Sequence, residues 1–255
     1  MQTFRNNLVC KNIVPDFRID TVSHQLIDSR IKLLKICFSD YQHLVPKLKL
    51  VLDDIEINKA NSYYHVKDSE HYVICRGLLK IYLARFLNTP SSRIRISYLE
   101  NGKPYLKNHN KINFNVSHSK EVAILAFSDV KIGVDVEFID NEFTFEEILN
   151  TVFSAEETNV ILKSKNSTKT FYNLWTRKEA IIKATGNGID DRLPAIPVTD
   201  GTHRLDLSVS FLKSDLEVIS FQDNHYMYSI AYEADKQKLS INDKIVYLPK
   251  PDIYF

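Results

Sequence analysis

The amino-acid sequence predicts a fold of the α+β class, with helices and strands in both halves of the chain. Two observations support this prediction: apolar residues recur at helical spacing in some segments and alternate with polar residues in others. With 255 residues, the chain could form one large domain or two small ones. Hydrophobic residues make up 44% and charged residues 25%, which is typical of a globular protein.

The first half of the chain is predicted to contain two helices and several strands. Ile27, Ile31, Leu34 and Phe38 recur at helical spacing after a polar start, which favours an amphipathic helix. A strongly apolar stretch over residues 68–87 predicts a longer helix, packed on a sheet. The predicted strands are residues 94–98, 113–116 and 122–127.

The second half is predicted to begin with a strand and to continue with three helices. The strand covers residues 132–138, and the helices cover residues 145–153, 154–162 and 168–185. We expect residues 163–169, which are polar, to form a loop before the last helix. Further strands are predicted at residues 205–212, 216–221 and 226–232, followed by a tail over residues 236–255.

The strand over residues 132–138 carries two acidic residues on one face. Apolar side chains alternate there with Gly133, Asp135 and Glu137, so the two carboxylates point the same way, about 7 Å apart by strand rise. Carboxylates this close repel each other unless a cation lies between them, and Mg²⁺ prefers oxygen ligands. The alternative is a solvated strand face, which commonly carries acids.

The helix over residues 168–185 adds a carboxylate and an ammonium group. Trp175, Glu179 and Lys183 are spaced four apart and therefore share a face. One interpretation is a surface ion pair, worth about 0.3–0.5 kcal/mol. The other makes Glu179 a third metal ligand and Lys183 a phosphate-binding point charge. Residues 186–188, Gly-Asn-Gly, are a plausible end for this helix.

A third polar group follows the strand predicted over residues 113–116. Ser117, His118 and Ser119 come directly after it, and His118 is expected to begin the turn. Small hydroxyl residues and an imidazole at a strand end suit a contact with a phosphate or a nucleotide. A polar turn between two strands of a hairpin explains the serines equally well.

Three segments of the chain together resemble the signature motifs of the 4′-phosphopantetheinyl transferases: residues 115–119, 133–137 and 175–184. The similarity runs from about residue 52 to about residue 188, and the length fits the single-chain, surfactin-type (Sfp-type) branch. The resemblance implies two similar α/β lobes, residues 1–128 and 129–255, with the active site between them.

The resemblance also implies a reaction. Such enzymes transfer the 4′-phosphopantetheine group of coenzyme A to a serine of an apo acyl or peptidyl carrier protein and release 3′,5′-ADP. By motif match, Asp135, Glu137 and Glu179 would hold Mg²⁺, or Mn²⁺, against the pyrophosphate. Lys183 would act in catalysis by binding phosphate. Glu179 is the first candidate for the base that takes the serine proton, with Glu157 or a metal-bound water as alternatives.

Further residues are expected, by the same resemblance, to contact coenzyme A. They are Lys59, His71, Arg76, Lys103, Ser117, His118 and Lys183. The chain departs from the family pattern at two positions, because Glu56 and His71 stand where basic residues are expected. These departures would loosen the contacts with the 3′-phosphate of coenzyme A.

Glu157 has two interpretations. It matches a family glutamate proposed to assist catalysis, but residues 154–157, Ser-Ala-Glu-Glu, also form a capping box with the glutamate at the third helical position. We favour the cap.

Composition and charge exclude several classes of function. The net charge is +1, which provides no overall field toward nucleic acid or a membrane. Three cysteines without paired spacing predict reduced thiols and a cytoplasmic protein, and the histidines show no zinc spacing. A monomer is expected. The remaining alternatives to the transferase are a Mg²⁺-dependent nucleotide phosphohydrolase and a non-catalytic module that binds coenzyme A or a carrier.

Overall fold

The computed structural model describes residues 6–15, 31–107, 109, 111–186, 192–205, 214–234, 245–248 and 250. Helices and strands occur in both halves, which confirms the predicted α+β class. The helices are α1 (Val45–Lys49), α2 (Asp54–Asn61), α3 (Val66–Phe86), α4 (Leu149–Val152), α5 (Ala155–Lys163) and α6 (Ser167–Thr185). The strands are β1 (Asn6–Asn12), β2 (Ile31–Cys37), β3 (Ile96–Tyr98), β4 (Pro104–Leu106), β5 (Asn113–Ser119), β6 (Val122–Ser128), β7 (Ile132–Phe138), β8 (Gly201–Leu205), β9 (Leu216–Asp223), β10 (Tyr226–Glu233) and β11 (Ile245–Tyr247).

The chain divides into two compact units. Unit 1 takes the described residues of 1–16, 100–103 and 130–239, and unit 2 takes those of 17–99, 104–129 and 240–255. The predicted lobes, 1–128 and 129–255, are each one continuous segment, whereas each unit is made of several segments of the chain. In the structure, β1 belongs with the C-terminal strands and β11 with the N-terminal ones.

Unit 1 is built on a five-stranded sheet in the order β7-β10-β9-β1-β8. Among its described strands, the β1–β9 pair is parallel and the other pairs are antiparallel. Helix α6 packs across β7, β10 and β9 and is buried on most of its surface. Its first turn is capped by the Asn166 side chain, which accepts a hydrogen bond from Lys169 N at 2.9 Å. Its last turn ends at Gly186, whose φ of 73° is the left-handed conformation that glycine adopts readily.

Unit 2 is built on a four-stranded sheet in the order β11-β2-β6-β5. Here the β11–β2 pair is parallel and the other pairs are antiparallel. Helix α3 contributes many of the residues that pack against β6 in the core of this unit.

The two units share an order of elements that the sequence does not reveal. In unit 2, strand β2 is followed by α3 and then by β5 and β6, and the sheet order is β2-β6-β5. In unit 1, strand β7 is followed by α6 and then by β9 and β10, and the sheet order is β7-β10-β9. In each case the first strand pairs with the third, antiparallel. This common arrangement supports two similar lobes, although the sequence shows no repeat.

The predicted helix that includes Ile31, Leu34 and Phe38 is wrong for its described part. Residues 31–37 form strand β2, while residues 20–30 lie outside the described residues. Strand β2 lies between β11 and β6 and is buried on both faces, so its sequence does not alternate. Lys32 and Lys35 interrupt the apolar residues at a spacing that imitates an amphipathic helix.

Other predictions need smaller corrections. The predicted loop over residues 163–169 is shorter, because α5 runs to Lys163 and α6 begins at Ser167. The predicted tail includes strand β11. Strand β8 ends at Leu205, and the rest of the strand predicted over 205–212 lies outside the described residues.

Candidate functional site

Strand β7 and helix α6 approach each other so closely that their backbones are in contact at Gly133. A Cβ atom added to Gly133 would lie 2.1 Å from the carbonyl oxygen of Ala180 and 2.2 Å from the amide nitrogen of Ala184. No side chain larger than hydrogen fits there. The glycine therefore brings the acidic residues of β7 and the polar residues of α6 within reach of one another.

This contact places Asp135 beside Lys183. Asp135 is only 2% exposed, and it lies opposite Ser229 of the neighbouring strand β10. The Nζ atom of Lys183 lies 2.6 Å from Oδ1 of Asp135. Glu137 is two residues further along β7 and is partly buried.

Glu179 completes the cluster from the helix side. It is 9% exposed, which is inconsistent with a surface ion pair between Glu179 and Lys183. Burial is the main reason that its pKa rises from 4.5 to about 7, and the carboxylates of Asp135 and Glu137 raise it further, while Lys183 opposes them. Its Oε1 atom is buried and accepts no hydrogen bond from any residue that the structure describes. A nearby cation would stabilise the ionised form of this carboxyl group.

The residues fit a divalent cation in charge and in donor type. Asp135, Glu137 and Glu179 offer the oxygen atoms that Mg²⁺ and Mn²⁺ prefer, and the buried Glu179 Oε1 has no hydrogen-bond partner within the described ranges. Across the described part of the chain, however, no three His, Cys, Asp or Glu side chains already form a group that could hold a metal ion. The three acids would therefore have to adjust, and the contact between Asp135 and Lys183 would be affected.

Two buried cations of α6 support this region. Arg177 and Lys178 have no exposed surface. Arg177 donates hydrogen bonds to Ser220 Oγ at 2.9 Å, to the carbonyl oxygen of Val198 at 2.7 Å and to Asp200 Oδ1 at 2.6 Å. These contacts tie α6 to β9 and to the segment before β8. Neither cation was predicted to have a role, and their signal in the sequence is an Arg-Lys pair within a helix otherwise rich in apolar residues.

Glu157 takes part in the predicted capping box, which is confirmed. Ser154 and Glu157 exchange the two hydrogen bonds of that motif, at 2.9 and 3.2 Å. Glu157 is 2% exposed, pairs with Lys178 Nζ at 2.9 Å, and accepts a bond from Val198 N at 2.8 Å. Its carboxylate is thus occupied by contacts within the protein.

Lys103 lies at the other end of α6. Its Nζ donates a hydrogen bond to the carbonyl oxygen of Ala184 at 2.9 Å, near the C-terminus of the helix, where a positive charge is favourable. Burial, together with the nearby charge of Lys131, lowers the pKa of Lys103 from 10.5 to about 8. The predicted contact of Lys103 with coenzyme A remains a prediction.

Unit 2 contains a cavity of about 440 Å³ with basic and aromatic walls. It brings together three of the predicted binding residues, His71, Arg76 and His118. Two tyrosines that the sequence analysis missed, Tyr63 and Tyr72, also line it. The other lining residues are Lys67, Asp68, Cys75, Leu79, Pro104, Val116 and Lys120.

Arg76 is held in place at the cavity wall. It donates a hydrogen bond to Tyr98 Oη, and its guanidinium lies 5.6 Å from the ring centre of Tyr72. Its Nε atom lies 3.7 Å from Oε1 of Glu56, whose Oε2 accepts a bond from the buried Lys80 at 2.6 Å. Glu56, the acidic departure from the family pattern, therefore neutralises two buried cations and also closes a capping box with Asp53.

The two cavity histidines come from different elements. His71 of α3 stacks on Phe38 with ring centres 3.6 Å apart, and burial lowers its pKa. His118 is exposed and pairs with Ala123 of β6 within strand β5, so the prediction that it begins a turn is wrong. The strand continues through Ser119, and Lys120 follows it with a φ of 48°.

The remaining predicted binding residues lie outside this wall. Ser117 precedes His118 in β5 and is buried on the opposite face of the strand. Lys59 does not line the cavity, but its Nζ lies 5.0 Å from the ring centre of Tyr63, which does.

This α+β protein has an acidic cluster at a strand–helix contact and a cavity with basic walls. Such groups suit the binding of a phosphorylated ligand. Comparison with known families gives this class a name. The family model for the 4′-phosphopantetheinyl transferase superfamily matches residues 131–237, and a model for the N-terminal part of a 4′-phosphopantetheinyl transferase matches residues 41–129. The chain belongs to the 4′-phosphopantetheinyl transferase superfamily.

Individual relatives have the same activity in their names. The chain is 28% identical over 170 residues to the 4′-phosphopantetheinyl transferase HetI of Nostoc sp., covering 64% of this chain and 72% of HetI. It is 32% identical over 142 residues to Sfp of Bacillus subtilis, covering 55% and 62%. It is 29% identical over 200 residues to the L-aminoadipate-semialdehyde dehydrogenase-phosphopantetheinyl transferase of Xenopus laevis, covering 69% and 66%. The matched segments thus span about two thirds of these relatives.

These findings confirm the family recognised from the three motifs and the predicted class of enzyme, a transferase. They favour the transferase over the phosphohydrolase and the non-catalytic module. No helix among the described residues is long and apolar enough to cross a membrane. The three cysteines, all within the described ranges, form no disulfide.

Proposed function

We propose that this protein transfers the 4′-phosphopantetheine group of coenzyme A to a serine of an apo acyl or peptidyl carrier protein and releases 3′,5′-ADP. The observation that carries the proposal is the position of Asp135, Glu179 and Lys183, three residues of the family motifs, at one contact between β7 and α6 within the matched segment. The relatives are named for this activity.

Asp135, Glu137 and Glu179 would hold Mg²⁺ or Mn²⁺. When bound, such an ion neutralises charge on the pyrophosphate and stabilises the leaving group. Lys183 would provide a positive charge for the phosphates, which is useful because phosphoryl transfer depends mainly on positioning and charge neutralisation. Glu179 is our candidate base for the serine proton, because its carboxylate belongs to the cluster that would hold the ion against the pyrophosphate.

The cavity of unit 2 would bind the nucleotide part of coenzyme A. Its wall offers Arg76, Lys67 and Lys120 as positive groups, two histidines that can gain charge, and tyrosine rings beside them. Arg76 and His118 would contact phosphates directly. Lys59, Lys103 and Ser117 remain predicted contacts of coenzyme A.

Three finer assignments belong to the same proposal. Matches to Sfp and HetI support the surfactin-type branch, in which one chain carries both lobes. We propose a monomer, which size-exclusion chromatography with light scattering would test. We also propose a cytoplasmic location, in keeping with three unpaired cysteines.

The test is a transfer assay with coenzyme A, Mg²⁺ and an apo carrier protein, followed by mass measurement of the carrier. We expect the added arm on the carrier serine, loss of transfer with a chelator, and recovery with Mg²⁺ or Mn²⁺. Asp135→Asn and Glu179→Gln should each lower the rate at least about 100-fold, comparable to removing one preorganised electrostatic group. Glu142→Gln, at an exposed acid just after β7, is the matched control and should keep the wild-type rate.

The alternatives give different results in the same assay. Release of 3′,5′-ADP without any change in carrier mass would favour a phosphohydrolase. Binding of coenzyme A or carrier without turnover would favour a non-catalytic module. Wild-type transfer by Asp135→Asn at saturating Mg²⁺ would remove the proposed metal site.

A further inference from the structure

We propose that Lys183 is an internal counter-ion, which occupies the acidic cluster of unit 1 when no divalent cation is bound. When a divalent cation binds, Lys183 leaves Asp135 and pairs with the phosphates of the substrate. This inference rests on the proposed function, which supplies both the metal and the phosphate. It assigns Lys183 two successive partners, whereas the family motif implies only the phosphate.

The first reason is the contact itself. Lys183 Nζ lies 2.6 Å from Oδ1 of Asp135, a short charge-assisted hydrogen bond to a carboxylate that is almost fully buried. A buried carboxylate that loses its partner is strongly destabilising. Lys183 therefore compensates the charge that a metal ion would otherwise compensate.

The second reason is that the side chain of Lys183 can move away from this contact, whereas that of Asp135 cannot. The side chain of Lys183 is 29% exposed and that of Asp135 is 3% exposed. Lys183 lies in the last turn of α6 and has a long, flexible side chain. Asp135 lies within β7, which Gly133 fixes against α6. Only the lysine has room to move to another anion.

The third reason is mutual repulsion. Two cations that share the carboxylate of Asp135 repel each other, and they do so more strongly in a partly buried place than in water. Binding of a metal ion must therefore weaken the bond between Lys183 and Asp135. By reciprocity, removing the charge of Lys183 must strengthen metal binding in the absence of substrate. A lysine that faced only the phosphate would lie further from the metal ion and would have a weaker effect.

The experiment measures Mn²⁺ binding to the purified protein without coenzyme A or carrier, by the electron paramagnetic resonance signal of free Mn²⁺. We expect Lys183→Met to bind Mn²⁺ at least about fivefold more tightly than wild type, the low end of typical coupling between two sites. Lys183→Arg, which keeps the charge, should stay close to wild type. Lys169→Met is the matched control, because it removes a lysine from an exposed position of the same helix, and it should change the affinity less than twofold.

A second measurement uses the wild-type chain alone and does not depend on the folding of a variant. Lysine side chains are acetylated briefly, with and without Mg²⁺, and each site is quantified by peptide mass spectrometry. Mg²⁺ should increase acetylation of Lys183 severalfold and leave Lys169 unchanged. Any of three results would overturn the inference. They are equal or weaker Mn²⁺ binding by Lys183→Met, no Mn²⁺ binding by any of these proteins, and unchanged labelling of Lys183.

These outcomes are separate from those of the transfer assay. A chain that shows the coupling but modifies no carrier would keep the inference and lose the proposed function. A chain that transfers the arm without the coupling would keep the function and lose the inference.

Discussion

At the scale of single residues, Glu179 is a carboxyl group whose protonation is governed first by its burial. Burial and the carboxylates of Asp135 and Glu137 raise its pKa from 4.5 to about 7 in the folded, metal-free protein. A raised pKa means that the folded state binds the proton more tightly than the unfolded state does. The associated stability is fully present below about pH 4.5 and is lost as the pH rises through 7.

Glu179→Gln should abolish this pH dependence. In a chelator, the free energy of unfolding of wild type should fall relative to the variant between pH 4.5 and 8, by on the order of 3 kcal/mol. Urea denaturation at several pH values measures the difference. Mg²⁺ should reverse the loss in wild type only, because it favours the ionised carboxylate. A constant difference across this range would contradict the raised pKa.

His118 is the second residue whose role can be read from pH dependence. It is exposed, lies in β5 and lines the cavity of unit 2. A bound phosphate favours the charged imidazole, so the affinity for coenzyme A should fall as the pH rises through the neutral range. His118→Ala should weaken binding at pH 6 and flatten this dependence, as measured by calorimetry from about pH 6 to 8.5.

The control for His118 is a second exposed histidine of the same unit. His43 lies in a helical turn before α1 and does not line the cavity, so His43→Ala should bind as wild type does. His71 also faces the cavity, but burial lowers its pKa, and its contribution should appear only at the acidic end of the range. If His118→Ala and wild type share one affinity and one pH slope, His118 does not contact phosphate.

At the scale of elements, the packing of β7 on α6 depends on Gly133. An added methyl group would collide with backbone atoms of Ala180 and Ala184, which cannot move without displacing the helix. Gly133→Ala should therefore lower the free energy of unfolding by about 3 kcal/mol or more. In the folded variant, the rate of transfer should fall by more than the loss of stability explains. The reason is that Asp135 lies on β7 and Glu179 on α6, and the added methyl group pushes these two elements apart.

Gly77 of α3 is the matched control for Gly133. A methyl group there would lie 2.9 Å from Cβ and from Cδ2 of Leu48, so its nearest neighbours are side-chain atoms, but Cβ can move only with α1 itself. Gly77→Ala should lower the free energy of unfolding by about 1–3 kcal/mol, less than Gly133→Ala does. Urea denaturation of both variants compares the same chemical change against the backbone of α6 and against a side chain of the short helix α1. Equal effects would show that the backbone contact at Gly133 is not limiting.

The sequence predicted those elements whose residue pattern follows one period clearly or ends at a clear stop signal. Strand β7 and helix α6 were predicted almost to the residue, because alternation in one and the terminal glycine in the other mark them clearly. Strand β2 was missed because both of its faces are buried and two lysines imitate helical spacing. The side-chain partners of Glu56 and Glu157 depend on residues far along the chain, and local pattern does not contain that information.

At the scale of the whole molecule, the repeated order of strand, helix and two strands could not be found from the sequence. The two units perform different tasks with this order: unit 1 presents acids at β7 and α6, and unit 2 presents a basic and aromatic cavity. Different tasks need different side chains, and the shared topology needs only similar hydrophobic patterning. The family motifs were visible because each is a short continuous run of residues.

Ligand binding should stabilise the whole molecule in a way that reports on the 3′-phosphate of coenzyme A. A ligand that binds only the native state adds RT ln(1 + [L]/Kd), about 2.7 kcal/mol at a hundredfold excess over Kd. Coenzyme A with Mg²⁺ should therefore raise the melting temperature by several degrees, measured by differential scanning fluorimetry. Dephospho-coenzyme A, which lacks the 3′-phosphate, should raise it less if basic groups such as Lys59 or those around the cavity bind that phosphate.

His71 makes this prediction sharper, because it stands where the family pattern has an arginine and lies in the cavity wall, stacked on Phe38. His71→Arg should place a permanent charge there and widen the difference between the two ligands, since arginine binds phosphate more strongly than a neutral imidazole does. A wider difference would show that the histidine loosens selectivity for the 3′-phosphate. Equal melting shifts for both ligands, in wild type and in His71→Arg alike, would show that this wall does not meet the 3′-phosphate at all.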